Sequence, residues 1–146
     1  MSRPDPSGNR TVADVPLAEK HPEWVKTARG GTIEDVTLEA VEAGGVTMED
    51  LRITPQALLD QAAVARSANR PTLARNFERA AELVDVPQEF LLEVYELLRP
   101  GRAKDKTALL AAAAVLRDTY GASRMAGFVE EAVEIYEQRG LFSYRF

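Results

Sequence analysis

Four breaks restrict the fold more than any other feature of the sequence. Asn69-Arg70-Pro71, Asp85 to Pro87, Pro100-Gly101 and Gly121 each interrupt a run of helical periodicity. Helices joined by connections this short are held as packed, antiparallel neighbours. The expected fold is therefore all-α, a small helical bundle of about five main helices. The first of these has a strong start signal, with Thr54 as N-cap and Pro55 at the first helical position. It runs to about residue 68, with Leu58, Ala62 and Ala65 on one stripe.

The next run, Leu73 to Leu83 (LARNFERAAEL), is the expected hub of the bundle. Leu73, Phe77, Ala80, Ala81 and Val84 recur at helical period on one face. Arg75, Glu78, Arg79 and Glu82 fall on the other, spaced to pair three residues apart. A Phe among alanines lets neighbouring helices come close. Beyond it, Asp85 is the expected cap of a third helix with Pro87 in its first turn, and Phe90, Leu91, Val94, Leu97 and Leu98 form its inner face. A basic linker from Arg102 leads to a helix over about 106–120, with Leu109, Leu110, Ala113, Leu116 and Tyr120 inward. The last helix, about 122–138, is expected to bury Met125, Phe128, Val129, Ala132, Val133 and Tyr136.

The ends read differently. Residues 1–13 are polar and proline-bearing, and the expectation is a disordered N-terminus. Residues 14–53 have no sustained period: Pro16 and Pro22 interrupt them and Gly30-Gly31 and Gly44-Gly45 punctuate them. They are expected to form an extended arm with short helical turns, one of them starting at Thr37 as N-cap. The helical domain then covers 54–139, and 140–146 is a tail holding Phe142, Tyr144 and Phe146 with no element to fix them. Trp24 stands out because a tryptophan is costly to leave on a loop. Either the arm folds back and Trp24 caps the chain's own core, or it anchors the arm on a partner.

Composition narrows the function classes. A chain of 146 residues is expected to be one domain with a real core. A formal net charge of −5, with basic residues scattered among acidic ones, argues against a nucleic-acid surface. With no cysteine there is neither a disulfide framework nor a thiolate metal site. No apolar run is long enough to span a membrane, and no secretion signal opens the chain, so the cytoplasm is the expected location.

No constellation for catalysis emerges either. The single histidine, His21, lacks the partners that a metal site or a nucleophilic triad requires. The carboxylate pairs Glu130/Glu134 and Glu93/Glu96 fall on outer helix faces, where nothing raises a pKa for acid–base work. We therefore expect no catalytic, cofactor-binding or metal-binding residue in this chain. A helical chain without a site, but with loose aromatic ends, suggests a subunit. The residues alone also allow a stand-alone helical interaction module.

Five segments carry a family resemblance: PLAEKHPEWVKTA (Pro16 to Ala28), RITP (Arg52 to Pro55), ARNFERAAEL (Ala74 to Leu83), YELLRP (Tyr95 to Pro100) and FVEEAVEIYEQR (Phe128 to Arg139). In this order they resemble the small (gamma) subunit of adenosylcobalamin-dependent diol and glycerol dehydratases, over nearly the whole chain. The resemblance implies a non-catalytic small subunit in a complex with large and medium subunits, usually two of each. It implies a hydro-lyase that converts a 1,2-diol or glycerol to an aldehyde and water by a radical route. Adenosylcobalamin would be held by the partner subunits, which leaves this chain to stabilise the large one. No catalytic position is carried over. Gly101 departs from the family's usual aromatic, and the tail is more aromatic than the family's lysine-rich ends. Residues 1–11 are too short to resemble the extension that some relatives use in bacterial microcompartments, so a free cytosolic enzyme is expected. Within the arm, residues 14–35 are expected to dock on the large subunit with Trp24 as an anchor, because an isolated chain gains little by leaving such a Pro-broken stretch with apolar side chains loose. Leu17, His21, Trp24 and Val25 are the candidate interface residues.

Overall fold

The computed structural model describes residues 9–142. Among these residues the chain is helical, with no strand and a single isolated bridge, Lys26 to Thr32. Seven α-helices follow in order: α1 (Leu17–Lys20), α2 (Leu38–Glu42), α3 (Pro55–Ser67), α4 (Pro71–Leu83), α5 (Gln88–Leu98), α6 (Lys106–Asp118) and α7 (Ser123–Gln138). Three short 3-10 turns, Val12–Asp14, Pro22–Trp24 and Ile33–Asp35, punctuate the first third. None of the helices is long and apolar enough to cross a membrane. The chain divides into two compact units between Val84 and Asp85, inside the stretch 54–139 that the sequence marks as one helical domain.

The first unit is organised around the α3–α4 hairpin. Thr54 caps α3 as expected, its hydroxyl accepting from the Ala57 amide at 3.1 Å, with Pro55 at the first position. The helix ends at a left-handed residue, Asn69 (φ 57°), and the amides of Asn69 and Arg70 donate back to Arg66 and Ala65 at 3.1 and 2.9 Å. Asparagine tolerates this conformation better than other side-chain-bearing residues, and the turn it permits sends α4 straight back along α3. Ala62, Ala65 and Ala74 are buried together and Phe77 packs against them. Side chains of one carbon at these positions allow the two helices to approach closely.

Two features of α4 differ from the sequence reading. Its innermost residue is Ala74, at 0% exposure, whereas Leu73 is 38% exposed. The face is rotated by about one residue because the alanines of α3, rather than the longest apolar side chains of α4, decide which side can come close. Glu78, expected outermost, is largely covered and receives a 2.7 Å ion pair from Arg66 on α3.

The second unit holds α5, α6 and α7, with α6 and α7 its main packed pair. Leu109, Ala113 and Leu116 from α6 and Ala126 and Val129 from α7 are fully buried. Asp105 caps α6 by accepting from the Thr107 amide at 2.8 Å. Pro87, not Asp85, takes the N-cap position of α5, because the helix starts one residue beyond the proline. Leu110 and Phe128, placed inward by periodicity, are 42% and 39% exposed, for each sits at the edge of a stripe narrower than the apolar pattern. The Tyr136 hydroxyl donates to the Leu98 carbonyl, and the ring of Phe142 meets that of Tyr136 edge-on at 6.1 Å. Phe142 is therefore held, contrary to the expected loose tail. Tyr144, Phe146 and most of the expected N-terminal disorder lie outside the described residues.

Candidate functional site

Chemistry accumulates in the arm of the first unit rather than on its helices. Between residues 10 and 24 the chain winds through the Val12–Asp14 turn, α1 and the Pro22–Trp24 turn, because prolines at 16 and 22 prevent a longer helix. The winding stacks His21 on Trp24, with ring centroids 3.7 Å apart and planes within 8°. The Arg10 guanidinium sits over the Trp24 ring, 3.9 Å from its centroid. The indole is thus covered by a cation and by an imidazole, two contacts that each contribute about 0.5–1.5 kcal/mol.

The same residues tie the arm to α3. Arg10 Nε lies 3.3 Å from an oxygen of Asp60, an ion pair without the alignment of a hydrogen bond. Asp60 is buried in an otherwise alanine-rich stretch of α3 and also accepts from the Gln56 side chain at 2.9 Å. The Val12 amide donates to the Ser67 hydroxyl at 2.9 Å. Around His21, Nε2 faces Asp14 and Nδ1 faces Glu23, both at 3.2 Å. A neutral imidazole can donate to one of these carboxylates and an imidazolium to both. Asp14 is held below the ordinary carboxylate range chiefly by the Thr11 amide, which donates to it at 2.8 Å, with His21 adding to the effect.

A second cluster folds residues 27–50. Arg29 donates through Nε to Asp50 at 2.7 Å and through Nη2 to the other carboxylate oxygen, a two-pronged pairing. Its Nη2 also donates to the Gly45 carbonyl at 2.8 Å, and the Thr47 amide donates to Asp50 at 2.9 Å. Asp50 is buried, and the Arg29 guanidinium, followed by the Thr47 amide, holds its carboxyl far below the usual range. Arg29 is raised in turn, first by its hydrogen bond to Asp50. Within this loop, Thr37 caps α2 by accepting from the Ala40 amide at 3.1 Å, as its place in the sequence predicts.

These arrangements are structural clasps, in which each carboxylate is neutralised by a neighbour. The expected interface residues Leu17, His21, Trp24 and Val25 all lie in the arm, and all are half-buried. The structure brings His21 and Trp24 together; Leu17 opens α1 and Val25 follows the Pro22–Trp24 turn. Glu130, one of the carboxylates weighed for acid–base work, receives both guanidinium nitrogens of Arg117, at 2.7 and 2.8 Å, and is lowered by them. Glu96 pairs with Arg99 at 2.9 Å. Among the described residues no group of three or more His, Asp or Glu side chains is placed to hold a metal ion. Sequence reasoning missed Arg10, Asp60, Arg29 and Asp50. Asp60 falls opposite the stripe of Leu58, Ala62 and Ala65, on the face that the arm covers, where a charge reads from sequence as solvent-facing.

Comparison with known proteins adds the identity of the relatives. The family model described as dehydratase small subunit matches residues 10–143. The propanediol dehydratase small subunit of Salmonella typhimurium (strain LT2) is 51% identical over 133 residues, spanning 91% of this chain and 76% of that protein. The propanediol dehydratase small subunit of Citrobacter freundii is 52% identical over 128 residues, 88% of this chain and 74% of that one.

Proposed function

The chain belongs to the dehydratase small-subunit family, and from that premise we propose that it is the non-catalytic small subunit of a diol dehydratase that converts a 1,2-diol or glycerol to an aldehyde and water. The observation that carries this reading is the match over 10–143, which includes the arm as well as both helical units. The partners are a large and a medium subunit, in a dimer of heterotrimers, working in the cytoplasm. The arm, with Leu17, His21, Trp24 and Val25, borders the large subunit.

Adenosylcobalamin belongs to the partners in this reading, and there it supplies the radical chemistry. The residues of this chain do not fit it: the single histidine already has one ring face on Trp24 and both nitrogens against carboxylates. No reaction step is therefore assigned here. What the chain contributes is a rigid, clasped surface that stabilises a larger protein by binding only its folded form.

Reconstitution tests this. The chain alone, mixed with adenosylcobalamin and 1,2-propanediol, should form no aldehyde above the cofactor blank. Co-expressed with the large and medium subunits of a diol dehydratase from the same organism, the chain should co-purify with them and yield aldehyde. Aldehyde from the isolated chain, or failure to join any dehydratase subunit, would overturn the proposal.

A further inference from the structure

Residues 33–53 expose more large apolar surface than a stretch of that length would leave to water in a finished assembly. Leu38 is 70% exposed and Met48 78%, and Val36, Val41, Leu51 and Ile53 are all exposed as well. Burial of such side chains contributes about 1.5–3 kcal/mol each, so leaving several in water is a standing cost that a binding surface recovers on docking. Among the described residues, nothing in the first unit covers them. Helix α2 buries none of its residues, and α3 and α4 pack on each other with at most marginal contact to it.

The segment is nonetheless held in shape. The amides of Gly45 and Val46 both return to the Ala40 carbonyl, at 2.8 and 3.1 Å, closing α2 onto the following turn. Arg29 then fixes Gly45 and Asp50 from behind. An apolar surface fixed before it meets its partner loses little conformational freedom on binding.

Charge selects the occupant. Glu34, Asp35, Glu39, Glu42 and Glu49 interleave with these apolar residues, and the one base within the segment, Arg52, is already paired with Glu49 at 3.2 Å. Two copies of this chain meeting here would oppose acid to acid, on top of a net charge of −5 each. The complementary partner is a different chain, with an apolar face ringed by lysine and arginine. Trp24 is a poorer anchor than the sequence suggests, because Arg10 and His21 already cover its ring.

We propose that residues 33–53 are the docking surface for the large subunit of the dehydratase, which seats a base-rimmed apolar face on Leu38, Met48, Leu51 and Ile53; this rests on reading the chain as a dehydratase small subunit. The full chain would be titrated onto the large subunit of a diol dehydratase from the same organism by interferometry, as wild type, as Leu38→Lys/Met48→Lys and as Glu39→Lys/Glu42→Lys. All four positions are exposed, and circular dichroism of each variant confirms its fold. The first variant should lose about thirty-fold or more in affinity, the scale of a lost interface anchor. The second should slow association and weaken its dependence on salt. Wild-type binding with undiminished affinity in both folded variants would overturn the docking surface while leaving the family-based function standing. Wild type that binds no dehydratase subunit would remove both. A wild-type dimer that Leu38→Lys/Met48→Lys converts to monomer would overturn the choice of partner.

Discussion

Leu109 and Leu110 are adjacent on α6 and identical in chemistry, yet one is 0% exposed and the other 42%. Truncating each to alanine therefore tests the register of the second unit. Leu109→Ala removes three buried carbons, worth about 2.4 kcal/mol of transfer free energy at ~0.8 per carbon. The side chains three and four positions on, Ala112 and Ala113, are buried alanines too short to reach into the hole. Collapse is then limited, and a cavity penalty of about 1–2 kcal/mol adds to the loss, giving about 3.5–4.5 kcal/mol. Leu110→Ala forfeits roughly half as much transfer energy and leaves no closed cavity, and alanine's better helix propensity returns about 0.2 kcal/mol. Its net cost is about 1 kcal/mol. Urea unfolding followed by far-ultraviolet circular dichroism reads the difference. With a slope of about 2 kcal/mol per molar, the midpoint should fall by about 2 M for Leu109→Ala and by about 0.5 M for Leu110→Ala. Equal shifts, or a larger one for Leu110→Ala, would refute the packing of α6 described above.

Two further perturbations address the clasps. Because Arg29 and the Thr47 amide hold Asp50 below the usual carboxylate range, its contribution to stability is present above the ordinary aspartate pKa of about 3.9 and is lost as pH falls through its lower folded value. Carboxyl-carbon NMR should show Asp50 still ionised where exposed aspartates have protonated, and Arg29→Gln should move its midpoint up; an ordinary midpoint in the wild type would dismiss the clasp. Trp24→Ala removes the ring shared by Arg10 and His21, so trypsin should cut at Lys20, Lys26 or Arg29 about tenfold faster, the effect of about 1.4 kcal/mol on local opening, while helix content stays nearly constant. Unchanged cleavage would mean that the stack does not hold the arm.

The helices were legible in the sequence because their signals are local. Thr54-Pro55 starts α3 and Thr37 starts α2 at the expected residues, α4 begins at Pro71 within the expected break, and α6 and α7 begin within a residue of expectation. Thr37, Thr54 and Asp105 each cap an amide two or three positions on, and Pro55 and Pro71 fix the first helical residue, so each signal is read within a few residues. Facing is less local. Leu73 looks more buried than Ala74 until α3 is known to present alanines, and Leu110 looks inward until α7 is known to cover only a narrow stripe. The clasps were not legible at all. Arg10 and Asp60 are fifty residues apart and Arg29 and Asp50 twenty-one, and no period or spacing relates a loop arginine to the acid it will meet. The arm winds through short turns, and nothing in its sequence spacing announces the contacts those turns make.

The hairpins also set an order of events during synthesis. Helices α3 and α4 are joined by three residues, and the residues they bury against each other are close in sequence, so little loop-closure entropy opposes their pairing. The first unit has its own internal partners by Val84, before α5, α6 and α7 have been translated. The nascent chain would then carry its uncovered apolar loop into the cell while the rest is still being made. Such a chain is a hazard to solubility for as long as it waits, and it is safest when a larger companion is translated close by and in matching amount. On this account, cells that overproduce the small chain by itself should find it in aggregates or among chaperones rather than free.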